Sequence, residues 1–203
     1  MTVSLEKHYR QQLEALILEH RMIMSILKAL HSVEPNAYIA AGIIRNSVWA
    51  HLHEVEYELN TTEVDVIFHD DAQPHPHRSN DIMLAMREQF PQMQWDVTNQ
   101  ATVHHWYRKD NGERIALLQS IEHALSMWPE TATAVAVRLI RSNESVQDEL
   151  EIVSPFGLSD LFELKLRWNP TLVSHAGFLK RLNEKQFLQR WSKLQWIESN
   201  IEQ

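Results

Sequence analysis

The sequence predicts an α+β domain with an α/β-like core, a mixed sheet flanked by helices. Three observations point there. Residues 63–69 and 93–98 alternate apolar and polar side chains, and the segment between them has helical spacing. Two further β-rich runs, 131–140 and 149–153, follow one another across a polar turn, as in a hairpin. Residues 3–31 place Leu5, Leu13, Leu16, Ile17, Met24, Leu27 and Leu30 three or four apart, which is one face of an amphipathic helix. Helix, strand, helix, strand, then a hairpin and more helices is the order expected of strands and helices sharing one core.

The elements follow in order. No Pro or Gly interrupts 3–31, so one long helix is expected there, ended by Pro35-Asn36. The apolar run 37–41 before Gly42 predicts a buried strand entering a turn, and Ile44, Val48 and Leu52 predict a helix over 43–53. Residues 54–62 are a polar connection. In 63–69, Val64, Val66 and Phe68 face one way and Glu63, Asp65 and Ile67 the other. Residues 71–78 form a Pro-broken loop, 79–90 a helix ended by Pro91, and 93–98 a second alternating strand. The stretch 99–118 has no clear period apart from a turn at Asp110-Asn111-Gly112. A helix is expected over 120–128, stopped by Pro129, and others over 160–167 and 175–190. Domain organisation reads as a single unit, 1–203: an N-terminal helix to residue 35, a core over 36–170, and a basic helical tail over 171–203.

Composition narrows the function. The 203 residues include no cysteine, which excludes a disulfide framework, a thiolate metal site and a cysteine nucleophile. The four glycines, at 42, 112, 157 and 177, are too scattered for a P-loop or a G-x-G-x-x-G turn. A net charge of −8 argues against a protein that coats DNA. No stretch approaches the roughly 20 apolar residues of a membrane span, and the start MTVSLEKHYR has no apolar leader. The expectation is a cytoplasmic protein with no membrane partner. Ser79, Ser154 and Ser159 lack a nucleophile-elbow context, which argues against serine hydrolysis.

The charge is unevenly placed. Between His53 and Asp96 there are ten acids and two bases; between Lys165 and Lys193 there are seven bases and one acid. Acid density suits a hard cation and base density suits phosphate, although two solvated surfaces of opposite sign have the same composition.

Chemistry concentrates in the acidic part. Glu63 and Asp65 are two apart on a strand, which puts both carboxylates on one face, roughly 6–7 Å apart. Asp96, on the polar face of the 93–98 strand, is the candidate third ligand for Mg²⁺. An E-x-D pair taken alone equally describes the solvent side of an edge strand. Upstream, Tyr38 to Asn46 reads as strand, tight turn and helix start. Gly42 would let backbone approach a phosphate, the free N–H groups of the helix start favour an anion, and Arg45 lies one turn in.

Here the residues resemble the nucleotidyltransferase superfamily of the DNA polymerase beta type, which includes the head domains of tRNA CCA-adding enzymes and bacterial poly(A) polymerases. Its G-G-x-V-R-D pattern is similar to Ala41-Gly42-Ile43-Ile44-Arg45-Asn46, and its D-x-D to Glu63-Val64-Asp65. The chain is more similar still to a small bacterial family of nucleotidyltransferase-like proteins. It shares A-G-x-x-R-N-x-V-W at 41–49, W-x-V-x-N-Q-A at 95–101, W-P-x-T-A-T-A-V-x-V-R-L at 128–139 and P-F-G-L-x-D-L-F at 155–162.

The resemblance implies a polymerase-beta-type fold and a role for each residue. Gly42, Arg45 and Asn46 would hold a nucleoside triphosphate; Glu63, Asp65 and Asp96 would bind Mg²⁺ and serve catalysis, with Asp96 nearest the attacking hydroxyl. Attack on the α-phosphate would release pyrophosphate. Ala41 stands where the superfamily has its first Gly, and Glu63 where Asp is usual. Those two departures suit an alternative, a catalytically degenerate module that binds nucleotide or another protein. The acceptor is left open among an RNA end, a small molecule and a protein hydroxyl.

Other side chains have more than one reading. His51 and His53 point two ways on a helix; His75 and His77 lie in a loop; His104 and His105 follow the W-x-V-x-N-Q-A motif and suit either a substrate contact or packing. Asn99 and Gln100 suit a ribose, a base or a turn. Trp49, Trp95 and Trp128 have core spacing. Trp168, Phe178, Phe187, Trp191 and Trp196 interleave with the basic tail; that suits RNA contact through Lys180, Arg181 and Lys185, or helices docked by their rings with the cations in water.

Overall fold

The computed structural model describes residues 2–59, 63–72, 77–140 and 148–198. The α+β reading holds. A five-stranded mixed sheet has the order β3-β2-β1-β4-β5, from β1 (Tyr38–Ala40), β2 (Glu63–Phe68), β3 (Gln94–Asn99), β4 (Ala136–Ile140) and β5 (Glu149–Val153). β2 and β3 are parallel, joined through α4 (Arg78–Gln89); the other pairs are antiparallel. The β4–β5 pairing is the expected antiparallel pair, while residues 141–147 between them lie outside the described residues, as do 60–62 of the polar connection and 73–76 of the 71–78 loop, His75 included.

The sheet separates two environments. On one face Val64, Val66, Phe68, Trp95 and Val137 join the main core with α2 (Arg21–Val33) and α3 (Gly42–His53). On the other face Tyr38, Ala40, Ile67 and Ala136 form a small cluster with Leu125 and Ala134. Period-two alternation therefore does what the sequence predicts: the hydrophobic side of β2 is buried, and Glu63 and Asp65 emerge on the thinly covered face.

Five expectations are corrected. The long helix over 3–31 is two helices, α1 (Thr2–Glu19) and α2, with His20 as the N-cap whose ring accepts from the Ile23 amide. The two have different destinations. In α1 the Tyr9 ring stacks on Phe162 at 5.0 Å and the Glu6 carboxylate accepts from the Leu158 amide, whereas α2 packs on α4 and β4. The strand over 131–140 begins only at Ala136, because Thr131–Thr133 form a 3₁₀ turn whose hydroxyls are used elsewhere: Thr131 donates to Asp160 and Thr133 accepts from Arg45. The helix over 160–167 is the four-residue α6 (Ser159–Phe162). Leu164 has φ +56°, and β6 (Lys165–Arg167) pairs in parallel with β7 (Gln195–Ile197). The last helix divides into α7 (His175–Lys185) and α8 (Phe187–Arg190) at Gln186, φ +50°. The 99–118 stretch opens with a 3₁₀ helix, Gln100–His105, and keeps its turn at Gly112, φ +83°. α5 (Ile121–Ser126) is shorter than the expected 120–128 and is capped by Ser120.

Candidate active site

The site forms where the end of β1 and the beginnings of β2 and β3 meet the start of α3. Register decides its chemistry. Asp65 of β2 lies opposite Ala40 on one side and Asp96 on the other, so two carboxylates occupy adjacent strands at one level. Glu63 is two residues back on the same face and opposite Gln94. Glu63 and Asp96 are exposed and Asp65 is recessed. Burial, reinforced by the neighbouring Asp96 and Glu63 charges, pushes the Asp65 carboxyl up to about 6; the Arg45 guanidinium and the Gly42 amide oppose the rise. Among the described residues no group of three or more His, Asp or Glu side chains is placed so that it could hold a metal ion; Glu63, Asp65 and Asp96 lie on one face of the sheet without closing into such a group.

The turn before α3 carries a strained residue. Ala41 has φ +53° and ψ −118°, a region that favours glycine, and its amide donates to the Val135 carbonyl at 3.1 Å. The positive φ therefore falls at 41, where this chain has a Cβ, while Gly42 is the first helical residue. Ala41→Gly is expected to stabilise the protein by about 0.5–1 kcal/mol, since relief of strain outweighs the added chain entropy of glycine. A chemical-denaturation midpoint checks this; a lower midpoint contradicts it.

Arg45 is buried at the floor. Its Nε and Nη2 donate to Asn46 Oδ1 at 3.2 and 3.0 Å, and its Nη1 to Thr133 Oγ1 at 2.9 Å. The guanidinium lies 4.5 Å from the Phe187 ring centre and 5.1 Å from that of Trp49. Burial lowers its pKa to about 10, partly offset by the Glu130 charge, so it stays cationic at neutral pH. Asn46 donates in turn to the Tyr57 hydroxyl, so it orients Arg45.

Two cavities meet at Asp65. The larger, about 420 Å³, is bordered by Gly42, Arg45, Glu63 and Asp65 and roofed by Lys185, Arg190 and Trp191 from the C-terminal segment. Trp191 is buried, and its indole Nε1 has no hydrogen-bond partner within the protein. The smaller, about 220 Å³, is bordered by Asp65 and Asp96. Trp128 and Pro129 line both and so form part of the wall between them. Asn169 holds that wall: its Nδ2 donates to the Ser126 and Trp128 carbonyls at 2.7 and 2.8 Å.

All six candidate residues thus come to one place, five of them (Gly42, Arg45, Asn46, Glu63 and Asp65) on the larger cavity and Asp96 on the smaller. Arg181, Lys185 and Trp191 come to it as well, residues for which the sequence suited either RNA contact or helices docked by their rings with the cations in water. The tail is mostly engaged: Lys165 pairs with Glu163, Arg167 with Asp160, Lys180 with Glu184 and Arg181 with Glu130, and Lys193 donates to the Leu52 carbonyl. The pairings of Lys165, Arg167 and Lys180 are local, 2 to 7 residues apart, whereas Arg181 and Lys193 meet partners 51 and more residues away, which no local signal reveals. Among the ambiguous residues, Asn99 ties β3 to the end of β2 through Asp70, whereas Gln100 lines the smaller cavity. Trp49 and Trp95 belong to the core. His53 bonds the Trp49 carbonyl and accepts from the Lys193 amide.

A nucleotidyltransferase family model matches residues 29–196. The chain belongs to that nucleotidyltransferase family. Among solved structures it is similar to one described as a CCA-adding enzyme head domain, determined by NMR, with TM-score 0.73 and 26% identity over 93% of this chain and 96% of that one. It shares the fold, at 14% identity, with a CCA-adding enzyme in an apo form (TM-score 0.53, 91% of this chain) and a tRNA-processing enzyme in an apo form (0.51, 88%). It spans under half the length of those two, 44% and 45%. No curated protein gives a significant match. Among the described residues, no helix is long and apolar enough to cross a membrane.

Proposed function

We propose that this nucleotidyltransferase-family protein moves an NMP unit from an NTP to an acceptor hydroxyl in a Mg²⁺-dependent reaction that releases pyrophosphate. The observation that carries this reading is Asp65, a recessed carboxylate on the edge shared by a cation-lined cavity and a second cavity, in register with Asp96. The cation-lined cavity suits a triphosphate: Gly42 and the α3 start lie at its base, Arg45 at its floor, Lys185 and Arg190 at its roof.

Glu63, Asp65 and Asp96 are hard oxygen donors of the kind Mg²⁺ takes; burial raises the Asp65 pKa most, and the Asp96 and Glu63 repulsion that adds to the rise is what a divalent cation would relieve. When bound, Mg²⁺ supplies polarisation of the phosphoryl oxygens and neutralises charge. Asp96, on the acceptor side, takes the proton of the attacking hydroxyl. An acceptor oxygen–phosphorus bond forms at the α-phosphate as the bond to the β-phosphate oxygen breaks. The departing pyrophosphate is held by Lys185 and Arg190.

Lys185→Ala and Arg190→Ala are each expected to weaken NTP binding about tenfold or more, the scale of one charge-assisted hydrogen bond, with the melting temperature nearly unchanged. Calorimetry with ATP and Mg²⁺ reads this, and unchanged affinity in both contradicts the triphosphate assignment. The test of the reaction is pyrophosphate release from each NTP by the full chain, compared with Glu63→Gln and Asp65→Asn. Equal rates in all three reject it. NTP binding without turnover selects the degenerate binding module instead, which Ala41 and Glu63 favour.

A further inference from the structure

The two cavities differ in charge in a way that selects the acceptor. The triphosphate cavity has Arg45, Arg181, Lys185 and Arg190 on its lining. Among the described residues, the smaller cavity has no Lys, Arg or His on its lining, and the charged residues there are the carboxylates Asp65 and Asp96 at its edge. Its walls are Val103, Ile115, Leu118, Trp106 and Tyr107. Val103, Ile115 and Leu118 form a separate apolar cluster, so these walls are packed among themselves and hold their shape. Polar groups are few: Thr98, whose hydroxyl donates to Asp96, and Gln100, which is buried. Arg108, the cation next in sequence to the Tyr107 wall, donates to the Tyr107 carbonyl at 2.8 Å.

We infer that the acceptor is a small uncharged hydroxyl compound with an aromatic or apolar body, seated in this cavity with its hydroxyl toward Asp96, rather than a phosphate-bearing nucleic-acid end. Three observations carry this. A phosphate there would lie against Asp65 and Asp96, and the described lining of this cavity adds no cation beyond the Arg45 behind Asp65, the Arg181 that faces Tyr107 and the Mg²⁺ the carboxylates would hold. The volume, about 220 Å³, exceeds the roughly 150 Å³ that accepts a benzene ring, so one ring with a short substituent fits. Apolar walls with a few convergent polar groups are the usual form of a small-molecule site. The inference rests on the nucleotidyl-transfer reading for the reaction, while the cavity's preference for an uncharged ring can be measured without nucleotide.

The probes are 2-phenylethanol and phenyl phosphate, which share a ring and differ in charge. Saturation-transfer NMR and tryptophan fluorescence on the full chain, free of nucleotide, give their affinities. The alcohol is expected to bind at least tenfold more tightly than the phosphate. Val103→Trp and Ile115→Trp, which fill the cavity, are expected to weaken the alcohol at least tenfold while ATP affinity stays within twofold; having two fillers covers the case in which one does not fold. Phenyl phosphate binding as tightly as the alcohol overturns the inference, as does alcohol binding that survives in a folded filler variant. Transfer of label from an α-labelled NTP to an oligoribonucleotide, with no binding of 2-phenylethanol, also overturns it in favour of RNA. Probe binding as expected with no ATP binding leaves the cavity's preference standing and rejects the nucleotidyl-transfer reading.

Discussion

Asp65→Asn is expected to lower turnover by about a hundred- to a thousandfold and, in metal-free buffer at neutral pH, to make the protein more stable. The first effect follows from removing the central anion of the carboxylate edge, whose proposed role is to hold cation and phosphate in line; losing one such electrostatic group costs ~10²–10³ in rate. The second follows from linkage. The folded-state pKa of Asp65 is raised from 3.8 to about 6, so the folded protein holds this proton more tightly than the unfolded chain does. A raised pKa contributes stability that is fully present below the unfolded value and is lost as pH rises through the folded one. At pH 7 the ionised carboxylate therefore weakens the fold, by a shift of about two units or on the order of 3 kcal/mol. Asparagine removes the charge and keeps an acceptor for the Gly42 amide. The variant should melt several degrees higher than wild type at pH 7.5, with the gap closing between pH 6 and 4. A variant that melts lower at pH 7.5 contradicts the assignment of Asp65 as a strained, functional carboxylate.

Glu130→Ala is expected to destabilise the fold by about 3–5 kcal/mol and to weaken nucleotide binding with it. Glu130 is fully buried, its Oε1 accepting from Arg181 Nε at 2.5 Å and its charge supporting the buried Arg45. Its loss leaves two cations near one another, one of them without access to water, and an unpaired buried charge is among the costlier defects a core can carry. Arg181 lies on α7, the helix that also carries the triphosphate-cavity Lys185, so the ion pair fixes the roof of the cavity as well as its floor. Urea unfolding measures the first effect and ATP calorimetry at a temperature where the variant stays folded measures the second. A loss below 1 kcal/mol would show that the pair holds nothing in place.

The parts of the fold that were legible were those written in local periodicity. Val64, Val66 and Phe68 announced the buried side of β2, and with it the face on which Glu63 and Asp65 must emerge. The turn at Gly42 and the strand at 93–98 supplied the neighbours of that face. What the residues could not announce was set by distant contacts. Nothing in 3–31 marks His20 as a break, because the break serves two separate docking surfaces, α6 for α1 and the sheet for α2. Lys165–Arg167 looked helical because its partner strand, Gln195–Ile197, is some 30 residues on. The basic tail looked like a nucleic-acid surface because charge alone does not reveal that Arg181 meets Glu130 and that Lys185 and Arg190 border the larger cavity. The division of the site into a cationic and an apolar chamber has no sequence signature, since each wall is assembled from segments far apart in the chain.

The most direct test of the central claim is a structure of the full chain with Mg²⁺ and a non-hydrolysable NTP. The account predicts the triphosphate against the Gly42–Asn46 turn beneath Lys185 and Arg190, with the metal on Asp65 and its neighbouring carboxylates and the Asp96 cavity left free for the acceptor. A triphosphate seated elsewhere, or carboxylates that contact neither metal nor nucleotide, would contradict it.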